Sequence, residues 1–449
     1  MDSVRDVIVT LLRNFGSAKE IRQYLRDYSN VESTRFAVIK VGGGIMSERR
    51  HELASALSFL SKVGLRPVIV HGGGPQLNTA LEAAGVTTER IEGLRVTTPE
   101  VLEIARKVFQ QENLNLVEAL EARGVRARPI PSGVFEADMI DSQQFGLVGQ
   151  VTRVHIEQIE SAIRSQHVPV LSCLGTTAAG QILNINADTA ARELSVALQP
   201  SKVIFLTPTG GLLDQDGSII SAINLAEDFD LLMSRPWVHS GMRLKLQEIK
   251  ELLDRLPPTS SVSITSPDHL ARELFTHRGS GTLVRIGERI RRYDAATEVD
   301  QSAVRTLITE SFGRDLVPEY FESKAIEALY LADSCRAAAI ITREDGMPYL
   351  DKFAVTQEAQ GAGVGASLWE RIRSEYDTLY WRARSDNPIN AWYFARADGT
   401  RRQGEWIVFW YGIHEPGAIH RCIERATSIK PTLTDRDQHC EECTVNGTT

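Results

Sequence analysis

From residue 35 onward, short runs of consecutive apolar residues end in glycine or proline: RFAVIKVGGG at 35–44, LRPVIVHGGGP at 65–75, HVPVLSCLG at 167–175, SKVIFLTPTGG at 201–211 and SVSITSP at 261–267. Helical stripes lie between several of them, such as Leu53, Leu57 and Leu60 closed by Gly64. Unbroken apolar runs read as strands buried on both faces, and their alternation with helices predicts a doubly wound, mostly parallel sheet. Ligands of such sheets sit beyond the carboxyl ends of the strands. The GGG and HGGG turns fall at those ends. The first 30 residues carry a different texture, with Val4, Ile8, Leu11 and Phe15, then Ile21, Tyr24, Leu25 and Tyr28, at helical spacing. They read as a helical extension (1–30) that buries its stripe on its own domain or on another copy of the chain.

The pattern shifts again near 283–293, at the basic, polar LVRIGERIRRYD. Helices are expected around 300–312 and 321–331, and strands at 337–343 and 349–356. A glycine turn, QGAGVG, then enters the helix SLWERIRSEY, followed by a strand at TLYWRAR and a last strand at EWIVFWYG. The chain therefore reads as a first α/β domain over 31–285 and a smaller α/β domain over 288–428. Residues 429–449 are polar and expected to be disordered.

A length of 449 residues suits two or three domains. With 50 basic against 58 acidic residues the net charge is −8, which argues against a general nucleic-acid surface but not against a local basic pocket. No apolar run approaches the ~18–20 residues that cross a bilayer, and Arg5, Asp6 and Arg13 interrupt the N-terminus as no signal peptide would. Neither nucleic acid nor membrane is expected as a partner. Five scattered cysteines make no disulfide framework, so a reducing cytoplasm is the expected location. The single CxxC in His439-Cys440-Glu441-Glu442-Cys443 is too little for a zinc site, and no metal site is expected.

No GxxxxGK[ST] loop is present. Lys40 instead stands beside Gly42, Gly43 and Gly44, and a second triplet follows at Gly72, Gly73 and Gly74. Glycines at strand ends let backbone N–H groups converge on anionic oxygens, the next helix adds its dipole, and a lysine supplies a point charge. VIKVGGG, HGGGPQLN (71–78), EGLRVT (92–97), LNINADTAA (183–191) and GMRLKL (241–246) occur in the order and spacing of the amino acid kinase family, most resembling its N-acetylglutamate kinases. The resemblance implies that Lys40 and Lys245 contact the transferred phosphate and that Asp188 holds both lysines. It further implies that Gly42, Gly43, Gly72 and Gly73 line the ATP phosphates, and that Gly72, Gly73, Arg95 and Asn184 hold acetylglutamate. A carboxylate nucleophile is already ionised at neutral pH and needs no general base, so lysines and backbone N–H groups suffice. Magnesium is expected to arrive with ATP. His71 reads as structural.

In the second domain, LDKFAVTQEAQGAGVGASLWERI joins a strand to a Q-x-x-G-x-G turn opening a helix, suited to a pyrophosphate. With WRARSDNPINAWYF (381–394) and WIVFWYG, it resembles the acetyltransferase domain of N-acetylglutamate synthases of the vertebrate variety, within the GCN5-related acetyltransferase superfamily. The implied roles are glutamate binding by Lys352, Arg382, Arg384 and Asn387, and pairing of Phe353, Ala354 and Val355 with the pantetheine arm of acetyl-CoA. Gln360, Gly361, Gly363 and Gly365 would take its pyrophosphate. Tyr393 is the candidate acid for the departing thiolate, with Asn387 holding the amine. HLARELFTHRGSGTLV (269–284) is similar to the arginine-binding segment of arginine-sensitive relatives, which makes Glu273, Gly279 and Gly281 an expected allosteric site.

Together these resemblances imply a bifunctional enzyme for the first two steps of arginine biosynthesis, acetylating glutamate with acetyl-CoA and phosphorylating the product with ATP. ATP-magnesium and acetyl-CoA would be substrates, with no tightly bound cofactor, and arginine an effector. A homo-oligomer is expected, tetramer favoured over hexamer. The alternative is a synthase whose first domain is only an arginine sensor.

Overall fold

The computed structural model describes residues 36–257, 260–275, 280–357, 359, 364–394 and 396–434. The chain divides into two compact units between Ile286 and Gly287. The expected N-terminal helix and the 439–443 segment lie outside the described residues.

The apolar runs of the first unit are strands. In chain order the main sheet contains β1 (Ala37–Val41), β2 (Val68–His71), β3 (Ala127–Ile130), β4 (Val168–Ser172), β5 (Lys202–Leu206), β6 (Ala222–Asn224), β7 (Ser261–Thr265) and β8 (Thr282–Arg285). They lie in the order β6-β8-β7-β5-β1-β2-β4-β3, all parallel except β7 with β8. Such strands need cover on both faces. Helices Arg50–Lys62 and Pro99–Glu121 pack Leu53, Leu57, Leu116 and Leu120 against Ala37, Ile39 and Val41. On the other face Val38 meets Ala190, Leu194, Ile159 and Ile163. Four helices frame the site: α1 (Gly43–Glu48), α2 (Gly74–Ala84), α3 (Ala187–Leu198) and α4 (Ser240–Leu253). The sheet grows outward from β1 in both directions, toward β2 on one side and β5 on the other. The crevice at the carboxyl end of β1 and β5 is thus the switch point where such folds bind ligands.

The second unit is a sheet of β9 (Ile290–Tyr293), β10 (Ile326–Ala332), β11 (Ala337–Glu344), β12 (Met347–Val355), β13 (Leu379–Arg384), β14 (Gly399–Gln403) and β15 (Trp406–Tyr411). Its order is β9-β10-β11-β12-β13-β15-β14, antiparallel except for β12 with β13. Helix α5 (Val364–Glu375) covers one face through Leu368, Trp369 and Ile372, beside α6 (Asn390–Phe394). The other face packs on helix Gln301–Phe312 and on α7 (Pro416–Ser428). An aromatic core joins the sheet to α5, with Trp381 stacked on Phe409 at 5.5 Å and edge-on to Trp369 at 5.1 Å.

Three expectations are corrected. The helix expected at 321–331 is a short turn of helix, Tyr320–Ser323, followed by β10. Ala328, Tyr330 and Ala332 enter one core while Leu329 enters the other, so period-two burial overrides an Ala- and Leu-rich helical composition. The expected disorder does not hold for 429–434, the rest of that tail lying outside the described residues, and EWIVFWYG is not the last strand. Leu433–Thr434 forms a further strand, antiparallel to Asp315–Leu316, and Ile429 is buried in the core under α7. Among the described residues no helix is long and apolar enough to cross a membrane.

Phe409 is fully buried. Phe409→Ala is expected to lower the stability of the second unit by about 3–5 kcal/mol, read as a shift in its denaturant midpoint with an unchanged slope.

Candidate active sites

Alternation along β1 puts Lys40 on the face of Val38, the face that α3 covers. There Lys40 Nζ lies 2.8 Å from Asp188 Oδ1. Asp188 is free for this pairing because Asn186 caps α3 instead, its Oδ1 accepting the backbone N–H of Asp188 at 2.7 Å. Lys245 comes from α4 and lies 5.8 Å over the ring of Phe205, the residue paired with Lys40 across β1 and β5. Burial first, and then the nearby Lys40 charge, hold Lys245 below the usual lysine range, with Asp188 opposing. Sequence reasoning missed Glu248, one helical turn beyond Lys245. Burial and then Asp188 raise its carboxyl, while Arg192, Lys245 and Lys40 oppose. An acid three residues after the lysine on one helix was the available signal.

The glycine turns are packed too closely for side chains. A Cβ at Gly43 would lie 2.5 Å from Pro75 Cδ, and one at Gly73 would lie 2.9 Å from Phe109. Gln76 Nε2 donates to Gly43 O at 2.9 Å and so ties the two turns together. Gly42 and Gly73 are the N-caps of α1 and α2, and neither offers a side-chain cap. Their first-turn N–H groups therefore suit an anionic ligand. Gly72 differs: its N–H is engaged by Val41 O at 3.0 Å, so it serves by its small size, with Ala187 Cβ 3.3 Å from where its own Cβ would be. Arg95 and Asn184 are joined through Thr97, whose hydroxyl accepts from Asn184 Nδ2 at 3.1 Å and donates to Arg95 O at 2.8 Å. The Arg95 guanidinium also donates to Asn78 Oδ1.

Glu273 is buried, and its Oε2 accepts the N–H groups of Ser280 at 3.1 Å and Gly281 at 3.3 Å. Both bonds go to the same carboxylate oxygen. Gly281 must be glycine, since a Cβ would lie 2.0 Å from Ile264 O. Gly279 lies outside the described residues.

In the second unit β12 and β13 are hydrogen-bonded only at Tyr349 with Tyr380 and Leu350 with Trp381. Beyond them the strands part, while β11 stays paired with β12 as far as Val355. The stretch Phe353 to Val355 thus borders an opening on the β13 side while staying in the ladder with β11. The register with β11 skips Asp351, a bulge next to the opening. Gln360, Gly361 and Gly363 lie outside the described residues. Gly365 is in the first turn of α5, where a Cβ would lie 3.3 Å from Val355 Cγ2.

Tyr393, on α6, is packed among Phe353, Trp381 and Phe409 at ring distances of 6.4, 5.5 and 5.4 Å. Burial lifts its phenol well above the usual tyrosine range, so it stays protonated as an acid must. Asn387 Oδ1 accepts the N–H of Ile389 at 3.1 Å, which fixes the turn leading into α6. Arg382 donates to Ala426 O at 2.5 Å and lies 4.0 Å over Trp406. Arg384 pairs with Glu405 at 2.5 Å on the exposed side. Lys352 is buried, with Nζ bonded to Asp351 Oδ2 at 2.6 Å, Asp351 O at 3.2 Å and Thr432 Oγ1 at 2.7 Å. Tyr320 donates to the same Asp351 oxygen at 2.5 Å. Asp351, Tyr320 and Thr432 were not anticipated. Asp351 adjoins Lys352 in sequence, but only the bulge brings both to one face.

A doubly wound sheet with a lysine pair at its switch point defines a phosphotransferase unit, and a mixed sheet opened at its one parallel pair defines an acyltransferase unit. The chain belongs to the amino acid kinase family, which residues 35–260 match, and residues 291–429 match the N-acetyltransferase of N-acetylglutamate synthase. The acetylglutamate kinase of Xylella fastidiosa is 50% identical over 94% of this chain and 100% of its own length. The mitochondrial arg-6 protein of Neurospora crassa is 42% identical over 95% of this chain and 50% of its own length. Human mitochondrial N-acetylglutamate synthase is 32% identical over 95% of this chain and 78% of its own length. The structure of N-acetylglutamate synthase from Neisseria gonorrhoeae, complexed with coenzyme A and N-acetyl-glutamate, has the same fold (TM-score 0.64, 20% identity, 88% of this chain and 98% of that one).

His71 is fully buried at the end of β2; Asn113 Nδ2 lies 3.2 Å from its Nε2, and its Nδ1 lies 3.2 Å from Gly72 O. Burial lowers its pKa from 6.5 to about 4. Between those values the unfolded chain binds a proton that the folded one does not. Stability is therefore unaffected above pH 6.5 and falls as the pH drops toward 4, by about 3 kcal/mol in all. Urea unfolding midpoints across that range should show this slope, and His71→Gln should flatten it.

Proposed function

We propose that this chain catalyses two consecutive reactions of arginine biosynthesis. In the second unit the amine of L-glutamate attacks the carbonyl carbon of acetyl-CoA, the carbon–sulfur bond breaks, and N-acetyl-L-glutamate and CoA result. In the first unit a carboxylate of that product attacks the γ-phosphorus of ATP, the bond to the β-phosphate oxygen breaks, and an acyl phosphate and ADP leave. The observation that carries the reading is the Lys40–Asp188 pair at the switch point, with Lys245 held close by.

Two like charges are brought together there before any phosphate arrives, and Asp188 makes their proximity tolerable. As the γ-phosphoryl group separates from ADP, the two ammonium groups meet the charge on its oxygens and on the new leaving group. N–H groups of the glycine turns add neutral donors, and Arg95 and Asn184 orient the acetylglutamate. A domain used only as an arginine sensor has no need of this arrangement, which disfavours the synthase-only reading.

In the acetyltransferase unit Phe353, Ala354 and Val355 pair with the pantetheine arm along the opening, and one of their N–H groups polarises the thioester carbonyl. Gln360, Gly361, Gly363 and Gly365 receive the pyrophosphate. Arg382, Arg384, Lys352 and Asn387 hold glutamate, and Tyr393 protonates the departing thiolate. Arginine acts as effector through Glu273 and the 279–281 turn. A cytoplasmic homo-oligomer, tetramer favoured over hexamer, completes the proposal.

Each activity should be separable by one substitution. Lys245→Ala is expected to lower ATP-dependent phosphorylation of acetylglutamate by roughly a hundredfold or more and leave CoA release from acetyl-CoA and glutamate unchanged. Tyr393→Phe should do the reverse. Loss of both activities in either variant would refute the division of labour.

A further inference from the structure

Lys352 is the residue of the glutamate-binding set whose partners conflict with its role. An ammonium has three protons to donate. All three are engaged inside the protein, by Asp351 Oδ2, Asp351 O and Thr432 Oγ1, and the side chain is only 6% exposed. No proton is left for a carboxylate in this arrangement. The partners are unequal. Both Asp351 oxygens belong to the neighbouring residue, and Tyr320 holds the carboxylate in place. Thr432 comes from a different part of the chain, the segment that follows α7.

Beyond the buried Ile429 that segment is lightly attached, with Leu433 partly buried against the core. Its ladder to Asp315–Leu316 is two residues long. It is extended by bonds from Val317 N–H to Thr432 O at 3.0 Å and from Thr434 Oγ1 to Asp315 O at 3.3 Å. Pro431 and Thr434, on either side, are exposed. An isolated two-residue ladder has little stability of its own, so Thr432 is the partner that Lys352 can give up.

We infer that residues 430–434 form a strap whose Thr432 hydroxyl occupies the Lys352 proton that glutamate requires, and that substrate binding must displace it. Thr432 is thereby a residue that sets glutamate affinity without contacting acetyl-CoA or ATP. The inference rests on the reading that Lys352 holds a glutamate carboxylate. Exchanging a neutral hydroxyl for a carboxylate acceptor is favourable, because hydrogen bonds to ionised groups are the stronger ones. Removing the competing hydroxyl beforehand makes binding tighter still.

The test uses the full chain and steady-state release of CoA thiol. Thr432→Val keeps the side-chain shape and removes the acceptor. It is expected to lower KM for glutamate about three- to tenfold, with KM for acetyl-CoA and the phosphorylation of acetylglutamate unmoved. Thr432→Ser, which keeps the hydroxyl, should behave as the parent. A glutamate KM unchanged or raised in Thr432→Val, or a serine variant that behaves like valine, would overturn the strap. Lys352→Met tests the underlying reading separately: if it leaves the glutamate KM unchanged, Lys352 holds no substrate carboxylate, whatever Thr432 does.

Discussion

A backbone amide taken out of water must find a partner, and parallel strands that part leave amides without one. Both units of this chain are organised around that constraint. In the first, β1 and β2 end side by side in glycine turns, and the next N–H groups open two helices that have no side-chain caps. In the second, β12 and β13 separate after two ladder positions. An anion satisfies the helix ends and an extended amide chain satisfies the strand edge. The two openings therefore differ in what they can receive, anionic oxygens in one and an extended chain of amides in the other, for the same reason.

The charges around the first opening follow from its burial. Lys40 and Lys245 repel each other, and both lose hydration as they approach. Desolvation and then the Lys40 charge lower the Lys245 ammonium, and Asp188 opposes both. The Asp188 carboxylate reaches Lys40 only because another residue, Asn186, caps α3. A similar logic holds around Lys352 in the second unit, where desolvation lowers the ammonium and Asp351 opposes it. There the lysine and its acid are also engaged by Tyr320 and Thr432, and the result is a closed group rather than an open cradle.

Much of this was legible in the residue order because it depends on local rules. Five apolar runs ending in glycine or proline became five strands of the main sheet, and the glycine triplets fell at their carboxyl ends. Lys40, Asp188 and Lys245 were found through short motifs that each sit at the end of a regular element. What was missed depends on long-range pairing. The stretch at 321–331 looked helical because Ala, Glu and Leu favour helices. It is a strand because two separate cores each claim alternate residues. The strand at 433–434 could not be read from two residues, Leu433 and Thr434, whose partners lie at 315–316. Asp351 and Thr432 gained their roles from a bulge and a strap, neither of which leaves a periodic trace. Glu248 was nearer to hand, one turn from Lys245, but its meaning depends on α3 packing against α4.

The two reactions differ in how they handle protons, and the two units differ accordingly. A carboxylate nucleophile is ionised at neutral pH, so the phosphotransfer site needs charge and position but no acid or base. His71, at the end of β2, is buried and neutral. An amine nucleophile reaches the site protonated, and a thiolate leaves it, so the acetyl-transfer site must move protons in both directions. Tyr393 is suited to the second of these, since burial among aromatic rings keeps the phenol protonated. The charges of Lys324 and Arg382 reach this unit's buried lysine, lowering the Lys352 ammonium further after desolvation, and Asp351 opposes them.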